Sequence, residues 1–280
     1  MSLVFEPESH TYKSIDSNDT TKWISVTTLL SCLKQPFDAV KTATKSAGNK
    51  KSKWYGLSSS EIQDIWKSEA KRATDLGSWY HDQRESDLLN CETIVRDNEP
   101  LPVIRPLTNE NGYKIASSQK LINGIYPEHL VYMRSIGICG QSDLVEVVNN
   151  TVNIVDYKTN KEIKTNSFKN WEGIPAMMNV PVSHLEDCSY NHYNLQLSIY
   201  MFMILKHNPK LKPGKLTLHH IIFEKAGEDQ YGYPILARST NGDPIIKEII
   251  PYEMPYLKQE VIDIMNWYKD NKETVLKNKK

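Results

Sequence analysis

Asp143, Asp156 and Lys158 are the residues whose types and spacing suggest chemistry. They lie in the stretch Gly140-Gln-Ser-Asp143-Leu-Val-Glu-Val-Val-Asn149-Asn150-Thr-Val-Asn-Ile-Val-Asp156-Tyr-Lys158-Thr159. Two β-rich runs flank Asn149-Asn150, and asparagine tolerates the positive φ that a tight hairpin turn requires. With those two asparagines as the loop, Val148 pairs with Thr151 and Asp143 falls opposite Asp156. Directly opposed side chains share a face, with Cβ atoms roughly 4.5–5.5 Å apart. Two carboxylates so placed repel one another unless a cation lies between them, and hard divalent cations take carboxylate oxygens. Lys158 is two residues beyond Asp156 and projects to the same face. Its ammonium can orient or help deprotonate a water and neutralise charge building on a phosphate. The backbone carbonyl of Tyr157, between them, is a further oxygen donor. Asp and Lys at alternate strand positions also occur as plain surface ion pairs, and a different loop length would break the register. Val152, Ile154 and Val155 leave both strand faces apolar, as in a buried central strand, and that favours the metal reading.

The elements that position these residues follow from periodicity. Leu3–Phe5 and Trp23–Thr28 read as short β stretches, and Pro36 interrupts the apolar piece after them. Residues 41–53 carry Lys41, Lys45, Lys50, Lys51 and Lys53 and read as a mobile basic loop closed by Trp54 and Tyr55. Lys51 and Lys53 can grip a nucleic-acid strand while Trp54 and Tyr55 stack on its bases; a merely solvated loop fits equally well. Apolar residues at three- and four-residue spacing predict a helix from Ser60, its N-cap, to about Asn90. Residues 96–112 read as a connector and Ile115–Asn123 as a short helix. Val131–Lys158 is the most β-like region. A long loop with two prolines, a helix over Tyr193–Lys206, a strand over Leu216–Glu224 and a closing helix over Met254–Lys272 complete the chain. His219 and His220 alternate faces and give no two-ligand geometry. The pattern is that of an α/β protein with a central sheet flanked by helices.

Composition bounds the function classes. The 280 residues hold 34 basic and 34 acidic side chains, so any contact with nucleic acid must come from local clusters of charge. Cys32, Cys91, Cys139 and Cys188 include no Cys-x-x-Cys pair, which argues against a zinc ribbon, an iron–sulfur cluster or a disulfide framework. No apolar run approaches a membrane span and no secretory leader is visible, so a cytoplasmic location is expected.

Gly140-x-x-Asp143, then Ile154-Val155-Asp156-Tyr157-Lys158-Thr159, then Gln196-x-x-x-Tyr200 resemble the PD-(D/E)XK nuclease superfamily. The match is to its RecB-like branch, which includes phage exonucleases and the mitochondrial genome maintenance exonuclease. Gly77-Ser-Trp-Tyr-His81 fits the upstream Gly-x-x-x-His pattern of that branch. The resemblance covers about half the chain and implies a restriction-endonuclease-like core over residues 113–280, with residues 1–112 as a mostly helical N-terminal extension packed on it. It implies that Asp143 and Asp156 hold Mg2+ or Mn2+, and that Lys158 positions the attacking water. It further implies that His81 ligates metal or approaches the scissile phosphate, that Glu128 supports the site, and that Gln196 and Tyr200 brace it and contact DNA. Glu85, one helical turn beyond His81, reads better as a solvated helix face. No cysteine follows Cys188, unlike relatives with an iron–sulfur cluster, and no phosphate-binding loop of a helicase motor is present. The implied activity is exonucleolytic hydrolysis at DNA ends in recombination, repair or replication, alongside a recombination or replication partner, often in phages and hence in a host cytoplasm. A structure-specific endonuclease, a non-catalytic nucleic-acid-binding protein and a nucleotide hydrolase remain open as alternatives.

Overall fold

The computed structural model describes residues 3–9, 11–116 and 118–277. The chain opens with a hairpin of Leu3–Glu6 (β1) and Thr11–Ser14 (β2). A two-residue strand, Ile24–Ser25 (β3), runs straight into Val26–Ser31 (α1), because the Ser25 hydroxyl accepts from the Thr28 amide and caps a helix there. Ala39–Gly48 (α2) and the 31-residue Ser59–Leu89 (α3) follow. Short hairpins come next, Thr93–Arg96 (β4) with Glu99–Pro102 (β5), and Leu107–Thr108 (β6) with Lys114–Ile115 (β7). Three long strands succeed them: Gly124–Met133 (β8), Ile138–Val148 (β9) and Thr151–Lys158 (β10). The last part contains Ser189–His207 (α4), Lys212–Phe223 (β11), Lys225–Glu228 (β12), Pro234–Leu236 (β13), Ile246–Met254 (β14) and Lys258–Lys277 (α5).

The central sheet is mixed and six-stranded, in the order β14-β11-β10-β9-β3 with β8 also on β9. β10 and β11 are parallel, so the chain crosses over between them through the 159–188 loop and α4. The α4 helix is buried on nearly every side from Asn194 to Ile204, and it packs on one face of the sheet with α1 and α5. The opposite face carries α3, whose Tyr80 packs with Tyr157, Ile221 and Phe223, and whose Leu88 joins Ile125, Leu144 and Val148. The protein is thus a layered α/β fold, with five helices among the described residues.

The β9–β10 register is that expected from the Asn149-Asn150 turn, from Thr151↔Val148 to Val155↔Leu144, and both asparagines adopt positive φ (49° and 61°). Beyond Leu144 the two strands part. β8 covers the other edge of β9 along its length, and β3 takes the vacated edge only at Ile138 and Cys139. A gap of four residues, Gly140–Asp143, therefore opens in the sheet between β10 and β3.

Several local expectations are corrected. Residues 39–48 are helical, not loop, because the Asp38 carboxylate caps the Lys41 amide and Ala43 packs against Trp54 and Ile62. No helix forms over 115–123 among the described residues. There the Leu121 amide donates to Asn208 Oδ1, the Ile122 amide to the Tyr126 hydroxyl, and the Gln119 carbonyl accepts from Asn208, so side chains replace the helical ladder. Helix α3 is capped by Ser58, not Ser60, in a capping box with Glu61. Residues 246–254 are strand, and α5 starts only at Lys258, past Pro255.

Candidate active site

The gap in the sheet brings three strands and two helices to one place. Pro127↔Leu144 and His129↔Ser142 put Glu128 beside Asp143, and Val155↔Leu144 puts Asp156 on its other side. Three adjacent strands thus carry a carboxylate at one level. Glu128 takes a left-handed backbone (φ 50°), which turns its side chain out of the regular alternation. Asp143 Oδ2 accepts from the Tyr157 amide at 2.7 Å, filling the ladder position lost where the strands part.

His81 reaches this row from α3, on the far face, through the same gap. Its Nδ1 lies 3.5 Å from Asp143 Oδ2 and 3.8 Å from Glu128 Oε1, while Nε2 lies 3.2 Å from the Tyr157 carbonyl. One donor atom each from His81, Glu128 and Asp143 falls within 4.8 Å of the others, which is a set that can hold a metal ion. Of the expected ligands Asp143, Asp156, the Tyr157 carbonyl and His81, this group contains Asp143 and His81. Asp156 is ion-paired with Lys158, and the Tyr157 carbonyl faces His81 Nε2 and, at 3.4 Å, Lys158 Nζ. Glu128, expected only to support the site, stands with the potential ligands.

From α4, Gln196 Nε2 lies 3.5 Å from Asp156 Oδ1 and 3.4 Å from the Tyr200 hydroxyl, so the two residues brace one another at the row. Gly140 is the residue that lets Tyr200 approach, since a Cβ there would sit 2.6 Å from Tyr200 Cε1. The ring of Tyr193, one turn earlier on α4, lies 5.1 Å from Lys158 Nζ. Gln141 donates to Glu128, and Lys114 bridges Glu85 at 2.6 Å and Glu128 at 3.9 Å. Glu85 is therefore part of the site's wall and not a solvated helix face. Gln141 could have been suspected from its place within Gly-x-x-Asp, and Tyr193 from sharing a helical face with Gln196. Nothing in the sequence points to Lys114, which pairs with Glu85 across 29 residues.

The electrostatics follow from burial of like charges. Burial raises the Asp156 carboxyl to about 6 against the pull of Lys158, with Asp143 adding to the rise. Burial likewise raises Asp143, opposed by His81 and Lys158. Burial works against charge on His81, but Asp143 and Glu128 prevail and raise it to about 9. Lys158 is also held above its ordinary value, because Asp156 and Asp143 outweigh its burial. Each buried carboxylate thus has a cation beside it, and the row opens into a cleft of about 580 Å³ lined by His81, Glu128, Asp143, Gln196, Tyr200 and Lys114.

The basic segment behaves differently from expectation. Trp54 is buried among Ala43, Ile62, Trp66, Tyr231 and Tyr233, so it is core and not a free stacking platform. Lys53 lies over the Trp54 and Tyr233 rings and donates to the Tyr231 carbonyl. Tyr55 and Lys51 are exposed, and none of the four lines the acidic cleft. Buried His220 bonds the Asn160 carbonyl at 2.7 Å, a structural role. Among the described residues no helix is long and apolar enough to cross a membrane. No known family model matches this chain, and no characterised protein matches it in sequence.

Proposed function

We propose that the chain is a metal-dependent deoxyribonuclease of the PD-(D/E)XK kind, acting as an exonuclease on DNA ends, with β8–β11, α3 and α4 as its restriction-endonuclease-like core. The observation that carries this reading is the convergence of His81, Glu128 and Asp143 at an open cleft, with the Asp156–Lys158 ion pair on the adjacent strand beside them. Buried like charges cost stability, and groups so perturbed beside a cleft support the reading of a working site. His81, Glu128 and Asp143 would hold the ion. One imidazole among carboxylates suits Mn2+ at least as well as Mg2+. Bound there, such an ion supplies a Lewis acid for the phosphate and lowers the pKa of water. Lys158 is steered by Asp156 and the Tyr193 ring, so its ammonium can orient a water and neutralise charge on the phosphate. Gln196 and Tyr200 fix Asp156, and through it Lys158.

The test is digestion of end-labelled linear single- and double-stranded DNA, beside closed circles, with Mn2+, Mg2+ or EDTA. Loss of linear DNA only, dependent on metal and abolished by Lys158→Ala, is expected. Cutting of circles would make the protein an endonuclease. No cleavage of any substrate would reject the enzymatic reading.

A further inference from the structure

A second groove, of about 590 Å³, lies next to the acidic cleft, between the first half of α3, the segment after Lys158 and the β12–β13 hairpin. The two spaces share α3: Gly77 and His81 line the cleft, whereas Glu69, Arg72 and Leu76 line the groove. They meet where a Cβ on Gly77 would touch Thr159 Oγ1 at 3.5 Å, one residue past Lys158. Their charges are opposite. The cleft wall carries Asp82, Glu85, Glu128 and Asp143 against Lys114 and His81. The groove carries Arg72, Lys161, Lys164 and Lys225 against Glu69 and Glu162. Its floor is apolar, made by the half-buried Trp66, Leu76, Tyr233 and Leu236 over the buried Ile221 and Phe223.

Two of the cations, Arg72 and Lys161, are held in place. Arg72 donates to Glu69 and to the Pro234 carbonyl, tying α3 to the hairpin. Lys161 Nζ pairs with Glu69 at 2.8 Å and stands 3.9 Å above the Tyr233 ring, yet half its side chain remains exposed. A cation over an aromatic face keeps its position while still open to an anion.

We propose that this groove binds single-stranded DNA, the strand that continues from the phosphate in the acidic cleft. The proposal rests on the nuclease reading for its ligand, but concerns binding alone. Rim cations at the edges take phosphates, and the apolar floor takes base faces, the combination that suits a single strand. A duplex keeps its base faces stacked inside and gains nothing from the floor.

The experiment is fluorescence anisotropy of a labelled 20-residue oligothymidylate in EDTA, where no cleavage runs, over a salt series. Each phosphate contact on a single strand adds roughly 0.7 to the slope of log K against log salt. The triple variant Lys161→Ala, Lys164→Ala, Lys225→Ala is expected to weaken binding more than about tenfold at low salt and to reduce the slope by about 2. Glu69→Gln removes a competing anion and is expected to tighten binding, which guards against a triple variant that simply misfolds. Lys269→Ala, on α5, removes a charge that lines no part of the groove and is expected to leave binding unchanged. Unaltered affinity in the triple variant, or equal losses in the triple variant and Lys269→Ala, would overturn the proposal, as would a duplex that binds as well as the single strand. Groove-dependent binding by a protein that cleaves nothing would keep this proposal and reject the nuclease reading.

Discussion

At the scale of residues, the site divides its carboxylates between two tasks. Asp143 and Glu128 face His81, and Asp156 faces Lys158. A divalent ion that enters the first group must displace the proton that those carboxylates hold on His81, because only neutral imidazole ligates. In the metal-free protein His81 contributes stability that is complete below its unfolded value of about 6.5 and is lost as pH rises through about 9. Mn2+ should raise the thermal midpoint, by the equivalent of about 2.7 kcal/mol at one hundred times its Kd. Asp143→Asn should erase that rise. Asp156→Asn should keep it while lowering cleavage at least about a hundredfold, since it releases Lys158 without touching the ligands. Differential scanning with and without Mn2+ decides the matter. Equal loss of the metal shift in both variants would return Asp156 to the ligand set.

At the scale of elements, two glycines that look alike in the sequence do different work. Gly140 sits where Tyr200 presses on β9, and a methyl group there has 2.6 Å to the ring, too little to accommodate. Gly140→Ala should cost about 1–3 kcal/mol in urea unfolding and dislodge Tyr200 from Gln196. Gly77 lies within α3 with ordinary contact distance to Thr159, so Gly77→Ala should stabilise by about 0.5–1 kcal/mol through helix propensity. A Gly77→Ala variant less stable than the parent would mean that α3 and β10 meet more tightly than the structure has them. The contrast marks what the sequence could convey. The Asn149-Asn150 turn fixed the β9–β10 register as far as Leu144 and Val155, the residues next to Asp143 and Asp156, because turn chemistry and period-two alternation are local. The gap that admits His81 from the other face was not legible, since it depends on β3 replacing β10 along one edge of β9, a pairing of residues far apart in sequence. The helix α2 was hidden by its lysines, whose charge drew attention from Ala39, Ala43 and Ala47 at four-residue spacing.

At the scale of the whole molecule, a net charge of zero conceals a separation: carboxylates gather in one cleft and cations in the groove beside it. Both depend on a core in which α4 and α5 pack on the sheet, and the buried polar atoms without a partner among the described residues include one on each helix, Asn194 Oδ1 and the Tyr268 hydroxyl. The Tyr268 hydroxyl, on α5, is fully buried and has no hydrogen-bond partner. Leaving such a group unsatisfied costs about 1–3 kcal/mol, so Tyr268→Phe should stabilise the protein at neutral pH by an amount of that order. Burial, with smaller contributions from Cys139 and Cys32, also raises the phenol from 10 to about 12. A group whose folded value is raised contributes stability that is complete below its unfolded value and is lost as pH rises through the folded one. The unfolded chain therefore releases this proton first, and the parent should lose stability between about pH 10 and 12. Tyr268→Phe should lose less over that window, so the gap between variant and parent should widen from pH 7 to pH 11. A gap that stays constant would mean that the hydroxyl titrates alike in both states, and a variant less stable at pH 7 would mean that the hydroxyl has found a partner, such as a buried water.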